Sequence, residues 1–257
     1  HDPFAATQSW ARGLKRVVWF VHGAFAFNLD VSRYPQPLIA ISNYKPASFH
    51  SSWGRIKIAA ANLGVDSVKY APRETTRSGR FVCGIVGRVS AEKIPLFFFD
   101  FVDKFNAENP YHNIDFVYYG LGDPLSDFYK AFIERSSRTL NFYYKGFVPP
   151  AEASSLYSLF DCLVVPSESE SGSYAILEAQ ASGLRVFALN RDGIPYHLTS
   201  FCKPYDNYDG IFRDLKYQTR AKASAISPLI RSEIERDFTL SDWAYKLDAI
   251  ALTASLI

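Results

Sequence analysis

Short apolar runs alternate with amphipathic stretches along most of this chain. Residues 17–21 (VVWFV), 38–41 (LIAI) and 56–60 (IKIAA) are bounded by polar positions and read as buried parallel strands. Residues 45–53 between the last two have helical character, and the polar stretch 71–79 (APRETTRSG), with its Pro and Gly, reads as a linker. From Phe81 onward the alternation is regular. Strands are predicted at 81–86, 114–119, 140–144, 162–165 and 185–189, with helices at 92–106, 125–135, 150–159 and 174–182 between them. Beyond Tyr208 the pattern is helical, over 208–225, 228–236 and 240–256.

This order predicts an α/β fold: an open parallel sheet with helices on both faces. In such a sheet ligands bind outside the carboxyl ends of the strands. The polar loops at those ends are 87–93, 120–124, 145–148, 167–172 and 190–195, and each carries a glycine.

Composition narrows the function classes. A hydrophobic share of 48% with 16% aromatics supports a packed core, and a formal net charge of +2 gives no electrostatic case for nucleic acid. No apolar run reaches the roughly 18 residues of a membrane span, and the amino terminus does not read as a signal peptide. Cys83, Cys162 and Cys202 lack metal-type spacing and are expected as buried free thiols, which fits a reducing cytoplasm. The chain contains no methionine and begins at His1-Asp2-Pro3, which raises the expectation of a processed chain or a fragment.

The chemistry concentrates in VPSESESGSYAILEAQASG, residues 165–183. A Ser-rich turn before a helix start is an anion site, because free N–H groups and the positive dipole end converge there. Glu170 lies in the loop and Glu178 in the helix, roughly 7.5 Å along its axis, about the span from a diphosphate to the ribose hydroxyls of one nucleotide. The bland alternatives are an exposed loop acid and an ordinary helical Glu; the otherwise apolar helix favours a paired, functional Glu178. Glu168 reads as a solvated neighbour. Arg88 and Lys93 in GRVSAEK suit a diphosphate, or else a solvated helix start. Gly120, in YYGLGD, would let a ligand approach the backbone, whereas Gly122 reads as a strand-terminating turn. His22 ends the first strand and is as well explained by a structural role as by contact with a sugar; His50, His112 and His197 have no evident partners. No nucleophile elbow, GxxxxGK loop or GxGxxG fingerprint occurs, which argues against a serine hydrolase, an NTPase and a nicotinamide dehydrogenase.

Taken together, GRVSAEK (87–93), VYYGLGD (117–123), YYKGFVPPAEASSLYSLFDCLVVPS (143–167) and SESGSYAILEAQASGLRVFA (169–188) resemble the retaining glycosyltransferases of family 4. The last contains that family's E-x7-E signature. Upstream, VVWFVHGAF, LIAISNY and NLGVD are more weakly similar. The resemblance implies the GT-B fold of two facing Rossmann-like domains. Here that means a partial amino-terminal portion over 1–74, a nucleotide-sugar-binding domain over 80–225, and helices over 226–257 that pack back on the first portion. Roughly 75 residues precede the linker, short for a complete domain of ~100–150, so a truncated or reduced first domain is expected.

The implied activity is transfer of a sugar from a UDP- or GDP-sugar to a hydroxyl acceptor, with retention and without a metal or other cofactor. Arg88 and Lys93 would hold the diphosphate. Glu178 would bind the ribose, and Glu170 with the backbone of Ser171, Gly172 and Ser173 would contact the transferred sugar. Phe147 and Val148 would lie against the base, Gly120 near the donor, and His22 would reach toward the sugar. One departure is Asp192-Gly193-Ile194-Pro195-Tyr196, where the family often has GG-x-P-E and this chain ends on an aromatic. The acceptor, a sugar, a lipid-linked or another hydroxyl compound, is open, as is peripheral contact with the inner membrane face. A nucleotide-sugar-binding module without transfer activity, and an epimerase or phosphorylase of similar fold, are the alternatives.

Overall fold

The computed structural model describes residues 17–21, 38–42, 56–72 and 79–255, the first three strands through their backbone. Those strands, β1 (Val17–Val21), β2 (Leu38–Ser42) and β3 (Ile56–Ala60), form a parallel sheet in the order β1-β2-β3. The helix expected at 45–53, most of the linker and His22 and His50 lie outside the described residues.

The second sheet is built from β4 (Phe81–Val86), β5 (Ile114–Tyr119), β6 (Phe142–Tyr144), β7 (Cys162–Val165) and β8 (Arg185–Ala188). All its pairings are parallel, in the order β6-β5-β4-β7-β8. The order reverses at β4, with β5 on one side and β7 on the other. A crevice therefore opens between the loops that leave β4 and β7, the usual ligand position of such a sheet. β7 is buried at every position, as its uninterrupted apolar CLVV run requires.

One face of the sheet is covered by α1 (Phe98–Glu108), α2 (Asp127–Arg138) and α5 (Tyr208–Leu215). Their aromatic side chains, Phe98, Phe99, Phe105, Phe132, Tyr208 and Phe212, build that core with Cys83, Ile85, Phe116 and Tyr118. The other face is covered by α3 (Ala153–Leu156, continued as a 3-10 turn to Leu159), α4 (Tyr174–Ala181) and α6 (Arg220–Asp237). A last helix, α7 (Leu240–Ser255), follows. Cys83, Cys162 and Cys202 are buried and free, as expected.

Several helix boundaries differ from the sequence pattern. α1 begins at Phe98 instead of residue 92, because Pro95 disfavours helical backbone at Ile94; Glu92 and Lys93 thereby remain in the loop. α2 begins after Ser126, whose hydroxyl accepts the Tyr129 N–H. The single helix expected at 208–225 breaks after Leu215, and Thr219 caps a new helix by accepting the Lys222 N–H. Pro228, expected to open a helix, lies inside α6, where its missing N–H gives up the helical bond to the carbonyl of the exposed Ser224. Residue 225 is thus internal to α6.

Residues 61–70, upstream of the linker, pack on the larger sheet's helices. Leu63, Val65 and Tyr70 share a core with Ile230, Ile234 and Phe238, and the Val65 N–H donates to the Phe238 carbonyl at 2.8 Å.

Candidate functional site

Three loops meet at the carboxyl ends of β4, β7 and β8. The Glu168 N–H donates to the Glu92 carbonyl at 3.0 Å, tying the loop after β7 to the loop after β4. The Gly193 N–H donates to the Glu170 carbonyl at 2.7 Å, and the Ser169 hydroxyl donates to Asp192 Oδ2 at 2.7 Å, tying both to the loop after β8. A Cβ at Gly193 would stand 2.2 Å from the Ser171 carbonyl oxygen, so only glycine permits this approach.

At their junction Lys93 Nζ lies 2.9 Å from Glu170 Oε2 and 3.1 Å from Glu92 Oε1. The Ser167 hydroxyl donates to Glu170 Oε1 at 3.1 Å. Glu170 is 8% exposed and is no exposed loop acid. Burial raises its pKa above the ordinary carboxylate range, with Lys93 and Ser167 opposing the rise. Lys93 is therefore already balanced by acids, whereas Arg88 is exposed and makes no ion pair among the described residues. Tyr118, buried in the core, donates its hydroxyl to the Arg88 carbonyl at 2.8 Å and holds that loop in place.

α4 starts here. Its N-cap, Ser173, is buried and makes no side-chain cap bond, which leaves the first-turn N–H groups and the positive dipole end facing the Glu170 loop. Ser171 and Gly172, half-buried, precede it. Glu178 lies one turn in, half-buried, and its Oε2 accepts the Tyr157 hydroxyl at 2.7 Å. The expectation of a paired carboxylate in an apolar helix holds, and the partner is a tyrosine. At the opposite edge, Phe147 is 56% exposed and Val148 is half-buried against the core.

Gly120 has a structural reason to be glycine. A Cβ there would stand 1.7 Å from the Gly87 carbonyl oxygen, its N–H donates to Gly146 O, and its carbonyl accepts the Tyr144 hydroxyl. The close approach is made by another loop of the same chain, and both polar groups of Gly120 are already engaged. Gly122, expected at a turn, packs against the Tyr129 ring. Glu168 is also no solvated neighbour: it accepts the Tyr208 hydroxyl at 2.8 Å and pairs with Arg191 at 3.4 Å.

His197, without an evident partner in the sequence, is fully buried. Its Nδ1 lies 2.8 Å from the Gly193 carbonyl and its Nε2 accepts the Leu63 N–H at 3.4 Å. A carbonyl only accepts and an N–H only donates, so the ring is neutral with its proton on Nδ1. Burial lowers its pKa accordingly. His112 bonds Asn106 at 2.7 Å. Tyrosines and histidine bonded across elements carry no local sequence signal, which is why Tyr118, Tyr157 and His197 escape a reading by motif.

Among the described residues, no three His, Cys, Asp or Glu side chains are grouped to hold a metal ion, and no helix is long and apolar enough to cross a membrane.

The fold and the placement of these loops define a GT-B-type α/β protein. Residues 80–214, more than half of the chain, match the family described as Glycosyl transferases group 1, and the chain belongs to that family. Sulfoquinovosyl transferase SQD2 of Arabidopsis thaliana is 31% identical over 144 residues, covering 52% of this chain and 26% of that protein. The match thus spans about a quarter of that curated relative. Among solved structures, a glycosyltransferase from Rickettsia africae is similar with a TM-score of 0.75 at 16% identity, over 99% of this chain and 75% of that one. Anabaena Alr3699/HepE, in a complex with UDP and glucose, has a TM-score of 0.71 at 16% identity, over 98% and 81% of the two chains.

Proposed function

We propose that this chain binds a nucleotide-diphosphate sugar at the crevice between the loops after β4 and β7 and moves the sugar to a hydroxyl acceptor with retention of configuration. The observation that carries the reading is the convergence of Arg88, the Lys93–Glu170 pair and the uncapped start of α4 at the switch point of the sheet. The UDP bound to the Anabaena protein, and to the pneumococcal O-GlcNAc transferase GtfA of similar fold, supports a nucleotide donor.

In this reading the C1–oxygen bond to the diphosphate breaks while the acceptor oxygen bonds C1 on the same face. The acceptor's proton leaves with the departing diphosphate. Arg88, Lys93 and the α4 N–H groups stabilise the charge that develops on the leaving group, without a metal. Glu178 takes the ribose hydroxyls, Glu170 with residues 171–173 the sugar, and Phe147 and Val148 the base; His22 is kept as a group reaching toward the sugar. The buried free cysteines support a reducing, cytoplasmic setting, with peripheral contact at the inner membrane face if the acceptor is lipid-linked.

Binding of UDP- and GDP-sugars by the full chain, followed by detection of released nucleotide and of glycosylated product with candidate acceptors, tests the proposal. Persistence of donor binding at native strength in Glu178→Ala would refute the assignment of the ribose site. A second reading is a nucleotide-sugar-binding module without independent transfer activity. Tight binding with no turnover would select it.

A further inference from the structure

Glu178 sits on α4 among side chains that are mostly buried, and two tyrosines from different parts of the chain stand beside it. Tyr157, in the 3-10 turn before β7, donates to Oε2 at 2.7 Å. Tyr70, upstream of the linker, packs on Tyr157 beside this carboxylate; burial, with Glu178 adding to it, raises the pKa of its phenol. The two rings pack edge to face with centroids 5.8 Å apart and are 1% and 6% exposed, so neither side chain is free to swing away.

Phenylalanine would fill the same ring space. The Tyr157 hydroxyl is spent on the carboxylate in a charge-assisted bond, and the Tyr70 phenol is buried beside it. A carboxylate accepts about four hydrogen bonds, so this bond leaves capacity for a vicinal diol.

Tyr70 is fixed in register with α4 by its backbone as well. Arg231 Nη1, from α6, reaches both the Tyr70 carbonyl and the Ala181 carbonyl at the end of α4. The segment before it is anchored by Val65 on Phe238, by Leu63 on His197, and by Gly64, where an added Cβ would stand 2.7 Å from Trp243 Cβ. Tyr70 lies outside the stretch 80–214 that the family description matches.

We infer that Tyr70 and Tyr157 are positioning residues that aim the Glu178 carboxylate at the ribose of a nucleoside diphosphate, so that donor affinity depends on a segment upstream of the linker. The inference rests on the reading that Glu178 binds ribose. It adds that the rotamer of a helical carboxylate is held against the pull of solvent by the Tyr157 hydroxyl, itself packed in place by Tyr70.

The test measures dissociation constants of the full chain for UDP, GDP and their 2′-deoxy forms, by calorimetry, in the native protein and in Tyr70→Phe, Tyr157→Phe and Glu178→Gln. Whichever base binds more tightly supplies the ribo and deoxy pair. Tyr157→Phe is expected to weaken the ribonucleotide about tenfold, the loss of one hydrogen bond to a charged group, and Tyr70→Phe to weaken it in the same direction, each with little change for the 2′-deoxy form. Glu178→Gln should also shrink the ribo-to-deoxy ratio. Thermal melting alongside separates misfolding from mispositioning: a merely loosened core weakens both forms equally and leaves the ratio at its native value. If Glu178→Gln keeps the native ratio, or if no nucleoside diphosphate binds, the ribose assignment itself fails. If Glu178→Gln loses the ratio while both Tyr→Phe proteins keep it, the ribose assignment stands and the positioning inference is overturned.

Discussion

The ammonium of Lys93 and the carboxylate of Glu170 stand 2.9 Å apart, on loops that leave two neighbouring parallel strands, with side chains 17% and 9% exposed. Each makes the other's burial tolerable. Removing the cation should therefore leave an acid that neutralises itself. Lys93→Met is expected to cost about 1–3 kcal/mol at neutral pH, below the range for a fully buried pair because Lys93 is partly exposed. Since burial already raises the folded-state pKa of Glu170, the variant's carboxyl will take a proton more readily still. Its deficit relative to the native protein should shrink as pH falls toward protonation. Urea denaturation of both proteins between neutral pH and pH 5 reads this out; a deficit that is independent of pH would contradict it.

His197 predicts an acid-sensitive fold. Its folded-state pKa is lowered by burial, so its contribution to stability is fully present above the unfolded value, about 6.5, and is lost as pH falls from there toward the folded value. Each unit of depression is worth about 1.4 kcal/mol. His197→Gln retains a donor for Gly193 and an acceptor for Leu63 without a titrating group. Melting temperatures from pH 7.5 to 5 should fall more steeply for the native protein than for the variant.

Gly120→Ala places a methyl carbon 1.7 Å from the Gly87 carbonyl oxygen, far inside contact distance, with no flexible side chain to yield. A destabilisation of about 2–4 kcal/mol is expected, together with displacement of the loop that carries Arg88. Equilibrium unfolding gives the first; loss of UDP affinity beyond that of a comparably destabilised core variant gives the second.

Asp161 and Arg220 form a different kind of junction. Asp161 is 6% exposed, accepts the Val82 N–H at 2.7 Å and pairs with Arg220 Nε at 3.0 Å, while the same guanidinium donates to the Gly79 and Arg80 carbonyls. Arg220→Lys should recover little of what Arg220→Ala loses, because one ammonium cannot reproduce a planar fork spread over three partners. A loss of about 2–3 kcal/mol in both, measured by denaturant unfolding, is the expected result.

Arg88→Ala separates binding from stability. The side chain is exposed, so unfolding should change by no more than about 0.5 kcal/mol. On the proposed function, UDP affinity should fall about tenfold, the loss of one charge-assisted contact to phosphate. An unchanged affinity would remove Arg88 from the diphosphate site.

The sequence by itself determined the strands of both sheets, the helix that follows β7, and the position of the candidate loops. Residues buried on both faces of a parallel sheet must be apolar in an unbroken run, as in CLVV, so period and length are written locally. The Ser-Glu-Gly loop and the helix after it are likewise neighbours in the chain, and Glu170 and Glu178 could be singled out without a structure. Helix starts were less legible: Pro95 and Thr219 shift boundaries through backbone sterics and capping that compete with an amphipathic pattern. What only the tertiary structure decided is which groups satisfy one another. The Leu63–His197 bond joins residues 134 apart, and the Lys93–Glu170 pair depends on β7 lying beside β4. Tyr157 on Glu178 and the Gly87 carbonyl against Gly120 belong to the same class. Such contacts follow from strand order and helix packing, and strand order is settled by the burial of the whole sheet, which no single stretch of sequence records.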